Sequence, residues 1–389
     1  MRPVFSQKNL IFPLVSWLFG AFLAVYSYQF YEQGGLLDGH QEFLDQINAG
    51  NYFAVIHPGI YWLAVALNQL TAIPLHESLF RLLSLHFAAT FFVTMIGLKL
   101  LDTDAADPYL IFFAAVAVMI AMPLGLPFLP PEVYNYSVDL TRVTLLLRNA
   151  THTAMQPYAI GAFCLTMAVI RKLKSGEFAT KMAVAASVLL FISVLMKPSF
   201  AFSFIPSLGL YLLFKRSFSF NDKLKVVAIA VPAGWLLCGQ FYINYIHPIG
   251  NFDLHSAVSF TPFEAWIFVN KKPLWALVTA ILFPLMVLCC RLRKISEFTW
   301  IAWINLAIAL IPQSLFWLGG LDNEWSYLDA REILFLCSIV EWWRWLKEDR
   351  VHILPGRFGV AHFAGLILLM HVMFGYMRMI TIDMPSVHW

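Results

Sequence analysis

Residues 38–81 read D-G-H-Q-E-F-L-D-Q-I-N-A-G-N-Y-F-A-V-I-H-P-G-I-Y-W-L-A-V-A-L-N-Q-L-T-A-I-P-L-H-E-S-L-F-R. Within them Ile60–Ile73 decides the fold. It is apolar but only about 14 residues long, and a helix crossing hydrocarbon needs about 20. Pro58 and Pro74 bracket it, and Asn68 and Gln69 sit near its middle. The segment reads as a helix lying in the membrane interface. A true crossing would invert everything after it and place the two most basic loops outside. The positive-inside rule rejects that arrangement.

Working outward, the whole chain has the composition of a membrane protein. Of 389 residues, 60% are hydrophobic and 13% charged, with a mean hydropathy of +0.71. Soluble domains carry roughly twice that charged fraction. Apolar runs near span length recur along the chain, and no stretch between them is long enough for a separate soluble domain. One integral domain over residues 1–389 is expected, with residues 29–79 as the first extracytoplasmic loop. The five cysteines (164, 238, 289, 290 and 337) lie in apolar runs without metal-ligand spacing and read as core residues. The apolar run after Arg2 and Lys8 is too long for a signal peptide and lacks a small-residue cleavage site. It reads as a retained first span.

With Ile60–Ile73 kept out of the count, the fold expected is all-α, a polytopic bundle of about eleven spans. The first runs about Leu10–Tyr28. The others fall near Phe80–Leu101, Pro108–Leu126, Thr153–Ile170, Met182–Met196, Phe200–Phe214, Val226–Ile246, Pro273–Cys290, Phe298–Leu318, Glu332–Trp345 and Phe358–Met379. Most of the 26 Lys and Arg then fall on the inner side. They include the clusters Arg171-Lys172-Lys174-Lys181, Lys215-Arg216-Lys223-Lys225 and Arg291-Arg293-Lys294. The N-terminus is expected inside and the C-terminus outside, in a bacterial inner membrane.

An acid-rich first outer loop, then His57-Pro58-Gly59-Ile60-Tyr61-Trp62-Leu63, an interfacial helix, and Arg81-Leu82-Leu83-Ser84 opening the next span resemble the GT-C class of membrane glycosyltransferases. That class includes the protein O-mannosyltransferases and the aminoarabinose transferases of lipid A. Its first loop carries an Asp, often Asp-Asp or Asp-Glu, followed by a His/Lys-Pro-Pro-Leu-Tyr segment. Asp38 matches the acid. The second acid is missing from Asp38-Gly39-His40, and Gly59 stands where the second Pro would be. The resemblance covers about Leu10–Leu101; beyond it only the layout of spans and loops agrees. It implies a GT-C fold with interfacial helices in the first outer loop, and a sugar donor on polyprenyl phosphate presented from the extracytoplasmic side. The acceptor would be a cell-surface glycan, lipid or protein. The sequence specifies no metal site, and it leaves a divalent cofactor open.

The resemblance makes Asp38 the candidate base on the acceptor hydroxyl, since sugar transfer needs that hydroxyl deprotonated as it attacks. The plainer reading of Asp38 is an N-cap for a helix over Gln41–Asn48. Glu42 and Asp45 follow at helical spacing and share one face with it. Glu42 is a candidate substrate contact and Asp45 a surface charge. A leaving polyprenyl phosphate needs cationic and amide donors. Arg148, His152 and Gln156 offer these at i, i+4 spacing at the mouth of the fourth expected span. Lys197, alone between two apolar runs in Met-Lys-Pro-Ser-Phe, is another candidate, against a plain role of reaching water at a turn. Arg331 has flanking acids as a competing partner, and Arg81 has Glu77 at i−4. His57, held extended before Pro58, is either a phosphate or sugar contact or a loop anchor.

No Walker loop, dinucleotide fingerprint, His-Glu-x-x-His or nucleophile elbow occurs, which leaves ATP-driven transport, nicotinamide chemistry and zincin hydrolysis without support. Nothing points to nucleic acid. Two rival readings remain. One is a flippase or transporter of lipid-linked glycan, which needs polar groups reaching both faces. The other is a surface-polysaccharide polymerase or ligase using a pyrophosphate carrier, which needs outer arginines and no Asp38.

Overall fold

Proline, glycine and arginine set where the helices of this chain stop and how closely they pack. The computed structural model describes residues 18, 40–52, 57–101, 108–121, 124, 150–243, 259–260, 273–317, 325–352 and 359–382. Asp38, Arg148 and all but one residue of the first expected span lie outside them. Among the described residues the elements are α1 (His40–Asn48), α2 (Gly59–Thr71), α3 (Leu75–Leu101), α4 (Pro108–Ile120), α5 (Ala150–Lys174), α6 (Thr180–Met196), α7 (Ser199–Phe214) and α8 (Phe220–Phe241). After β1 (Ser259–Phe260) come α9 (Pro273–Ala280), α10 (Leu282–Arg291), α11 (Glu297–Leu315), β2 (Phe316–Trp317), α12 (Trp325–His352) and α13 (Val360–Ile382). The strands pair antiparallel, Ser259 with Trp317 and Phe260 with Phe316.

The protein is thus mostly helical, with the long apolar helices of a multi-pass membrane bundle. The runs expected to span recur as α3 to α13. Among the described residues three helices are long and apolar enough to cross a membrane: α3, α5 and α8. The other apolar helices are shorter, against the eleven full spans expected. Proline explains two of the differences. The single helix expected over Pro273–Cys290 is broken at Ile281 into α9 and α10. Pro284 has no N–H to give the carbonyl of Ala280 four residues back, and its ring crowds that carbonyl. Likewise α4 stops short of Met122-Pro123, because a residue before proline is pushed out of the helical region.

The chain divides into two compact units. The first holds α1, α2, α3, α5, α6 and α8. Here α3 and α5 run parallel: His86 meets Tyr158, Gly97 meets Cys164, and Arg171 Nη2 donates to Leu100 O at 2.8 Å. Gly97 and Gly161 permit the close approach. A Cβ at Gly97 would lie 2.7 Å from Cys164 Sγ, and one at Gly161 would lie 2.8 Å from Leu189 Cδ1. Small residues at such crossings are how apolar helices pack when neighbouring lipid is equally apolar. α6 runs back against α5, and α8 lies beside it in the same sense, with Val169, Ala183, Ala186 and Ile229 forming a buried cluster. Gln240 Nε2 donates to Val194 O at 3.3 Å.

One consequence is a sorting of charge. The carboxyl ends of α3 and α5 and the amino ends of α6 and α8 gather at one pole of this unit. That pole carries Lys99, Arg171, Lys172, Lys174, Lys181, Lys223 and Lys225. Arg171 there satisfies carbonyls that the last turn of α3 leaves without an intrahelical donor.

The second unit contains α9 to α13 with the two-stranded ladder. α11 and α12 pack antiparallel, with Thr299 level with Glu341. α13 sits on α12 where Gly365 leaves room for the Trp342 ring, and Trp342 Nε1 donates to Ala361 O at 2.8 Å. The α10–α12 contact is closed by Arg291, whose Nη1 and Nη2 donate to Glu348 at 2.9 and 2.8 Å.

Candidate functional site

The pole of the first unit opposite the basic one is built from α2 and the ends of α5 and α6. The sequence His57-Pro58-Gly59 starts α2. Pro58, with φ −80° and ψ 0°, takes the N-cap position, and its carbonyl accepts from Trp62 N at 2.9 Å. Gly59 is then pressed onto the carboxyl end of α6. A Cβ at this position would lie 2.9 Å from Leu195 O. The obstructing atom is backbone, so only glycine fits. This gives Gly59 a steric reason, where the sequence had shown only a missing second proline.

The contact brings two separately nominated residues to one place: His57 stands two positions before Gly59, and Lys197 two positions after Leu195. Lys197 is buried, with 6% of its surface exposed. Its backbone is extended (φ −165°, ψ 127°), as the following Pro198 requires. Its N–H closes α6 on Ser193 O at 2.8 Å. A lysine buried at the carboxyl end of a helix gains from the negative end of the helix dipole. His57 is half-buried.

α1 packs on α2 as an amphipathic helix. Leu44 and Ile47 are buried, and Phe43 meets Tyr61 edge-on with ring centroids 6.4 Å apart. Glu42 and Asp45 occupy the exposed face, as their spacing predicts, and Glu42 accepts from Gln46 Nε2 at 3.3 Å. Tyr61 is fully buried, and burial pushes its phenol well above the ordinary value, so it stays a neutral hydroxyl. Trp62 Nε1 donates to Tyr52 O at 2.9 Å and ties the intervening loop to α2.

The end of α2 explains the polar pair noted inside it. Ala72 adopts a left-handed conformation, φ 58° and ψ 15°, which is costly for a residue with a Cβ. Asn68 Nδ2 holds the turn by donating to Ile73 O at 2.6 Å, and Ser78 Oγ donates to the same carbonyl at 3.3 Å. Asn68 is therefore a turn clamp that lets α2 fold back onto α3.

The other nominated residues divide. His152 and Gln156, at i, i+4 near the start of α5, are both buried, and Gln156 Nε2 donates to His152 Nε2 at 3.2 Å. His152 lies level with the first turns of α3, hence at the same pole as Lys197. Arg81 is exposed and pairs with Glu77, its Nε donating to Glu77 Oε1 at 3.1 Å.

Arg331 belongs to the second unit and is buried, with 2% of its surface exposed. Its Nε donates to Ala280 O at 3.1 Å and its Nη2 to Ala121 O at 2.7 Å. Its guanidinium lies 4.9 Å from the Phe335 ring centroid. The Ala280 carbonyl is the one that Pro284 leaves without a donor, and Ala121 immediately follows α4. Arg331 thus caps two helix ends at once. Asp38 and Arg148 lie outside the described residues.

Two buried polar groups were not singled out from sequence. His86 Nδ1 donates to Leu82 O at 2.7 Å, and its Nε2 accepts from Tyr158 Oη at 3.1 Å, joining α3 to α5. Glu341 lies inside the expected tenth span. In both cases an ionisable residue at span depth was the available signal. Among the described residues no three His, Cys, Asp or Glu side chains group closely enough to hold a metal ion. The chain matches no protein-family model and no curated protein.

Proposed function

We propose that this protein is an integral membrane glycosyltransferase of the GT-C type. It transfers a sugar from polyprenyl phosphate to a hydroxyl of an extracytoplasmic acceptor, with inversion at the anomeric carbon. The observation that carries the reading is the seating of His57-Pro58-Gly59 against the end of α6 beside Lys197. This occurs at the pole of the first unit away from its cluster of Lys and Arg. By the positive-inside rule that pole faces away from the cytoplasm.

In the proposed step the acceptor oxygen attacks the anomeric carbon and the bond from that carbon to the phosphate oxygen breaks. The electron pair leaves with polyprenyl phosphate. The acceptor proton passes to the Asp38 carboxylate. Lys197, with His152 and Arg148, supplies positive charge to the departing phosphate. A buried ammonium is worth more to a developing anion than one in water. Glu42 and His57 line the approach to the sugar. Arg331 is kept as a helix-end cap, because its Nε and Nη2 are spent on carbonyls.

The test is transfer by the purified protein in proteoliposomes, supplied with polyprenyl-phosphate-linked hexoses and pentoses. Lys197→Ala is expected to lower kcat by about 100-fold, the scale of losing one preorganised charge at a reacting oxygen, with partial recovery in Lys197→Arg. Wild-type turnover in Lys197→Ala refutes the assignment. Movement of lipid-linked glycan across the bilayer without sugar transfer would support the flippase reading instead.

A further inference from the structure

Three buried polar side chains of the second unit lie along one helix seam. Asn305 is on α11, and Ser338 and Glu341 are on α12; all three are fully buried. Neither amide atom of Asn305, nor Ser338 Oγ, nor Glu341 Oε2 has a hydrogen-bond partner among the described residues. The other carboxylate oxygen of Glu341 is well served. It accepts from Ser296 N at 3.0 Å and Thr299 Oγ1 at 3.1 Å, at the start of α11.

Ser338 is unusual among the buried hydroxyls. Thr90, Thr94, Thr166 and Ser207 all donate to the carbonyl four residues back in their own helices. Ser338 makes no such bond, although its helix continues on both sides. Its hydroxyl is available to a group lying in the seam.

The register orders the three residues. Thr299 is level with Glu341, and Cys337 Sγ donates to Phe298 O at 3.9 Å, so the helices are antiparallel here. Ser338 lies three residues from Glu341, an axial step of about 4.5 Å, and Asn305 lies six residues beyond Thr299, about 9 Å. The polar groups therefore recur at steps of about 4.5 Å, the span one water bridges with two hydrogen bonds of about 2.8 Å. A cation is a poorer fit. Glu341 already faces Arg344 Nη1 at 3.6 Å and the positive end of α11.

We infer that the α11–α12 seam binds a file of internal water molecules, held by Glu341, Ser338 and Asn305 and reaching inward from Ser296. Buried polar sites that offer two to four partners retain water in this way.

The test is radiolytic hydroxyl-radical labelling of the full chain in micelles, read by mass spectrometry. Radicals arise from water at the site itself. Cys337, beside the seam, is expected to be oxidised although buried. Cys164, buried between α3 and α5, is expected to stay unmodified. Asn305→Leu combined with Ser338→Ala is expected to abolish Cys337 labelling and lower the thermal midpoint, unchanged by exchanging sodium for choline. Cys337 as unreactive as Cys164, or a midpoint raised by the apolar pair, overturns the inference. A midpoint that depends on sodium does so too, assigning the seam to an ion. If the double variant does not fold, the comparison of Cys337 with Cys164 in the unaltered protein decides alone.

Discussion

Arg331 offers the sharpest test of how the second unit is held together. Its guanidinium spans two helix ends, with Nε on Ala280 O at 3.1 Å and Nη2 on Ala121 O at 2.7 Å. Arg331→Met orphans both carbonyls, at about 1–3 kcal/mol each, but it also relieves the burial of a charge, which costs several kcal/mol. Those effects oppose, so the Met variant should lose little. Arg331→Lys keeps the buried charge, and a single ammonium lacks the fork that reaches both carbonyls. It loses at least one charge-assisted hydrogen bond, about 1.5–3 kcal/mol, with nothing recovered. The account therefore predicts an inverted order: Arg331→Lys is less stable than Arg331→Met. Its thermal midpoint should fall by roughly 5 °C, at about 2–4 °C per kcal/mol for larger domains. Thermal unfolding of the purified variants in one detergent, followed by circular dichroism, measures it. A phosphate-binding Arg331 would give the opposite pattern, with Arg331→Lys folding as the wild type and retaining part of the activity. A wild-type midpoint in Arg331→Lys refutes the capping argument.

Gly97→Ala should destabilise the first unit by about 1–3 kcal/mol through overpacking, since its Cβ would meet Cys164 Sγ at 2.7 Å. Adding Cys164→Ala should restore most of that loss in the same melting assay, and an additive double variant would contradict the packing. Glu348 makes a pH prediction. Hydrogen bonds from Arg291 and Lys294 pull its carboxyl down to about 2. A folded value below the ordinary carboxylate range stabilises the fold above about pH 4.5, and that contribution fades as pH falls toward 2. Glu348→Gln should therefore lower the midpoint at pH 7, and the gap from wild type should narrow steadily below pH 4.5. A gap that is constant from pH 7 to 3 would contradict the ion-pair origin.

The positions of most helices were legible because apolar runs and basic clusters are one-dimensional signals. The runs expected from Phe80 to Met379 reappear as α3 to α13, and the short run after Pro58 reappears as α2. What periodicity could not show was where a helix breaks for want of a donor. The split at Ile281 follows from Pro284, yet it is stabilised by Arg331, distant in sequence. The same distance hid the role of Arg331. Flanking acids marked it as a charge needing partners, but carbonyls at two helix ends carry no sequence signature. For the candidate site, the spacing of His152 and Gln156 and the exposed face of α1 could be read directly. The meeting of His57-Pro58-Gly59 with the end of α6 could not. It depends on a backbone-to-backbone fit at Gly59, which is visible only in three dimensions.

The central claim is that this pole performs sugar transfer with a carboxylate as base, and Asp38→Asn tests it most directly. The substitution keeps the side chain's shape and removes its capacity to take a proton. Transfer from a polyprenyl-phosphate-linked sugar should fall by about 100- to 10,000-fold, the range for losing a general base, while donor KM and the melting midpoint stay close to wild type. Wild-type turnover in Asp38→Asn would contradict the account.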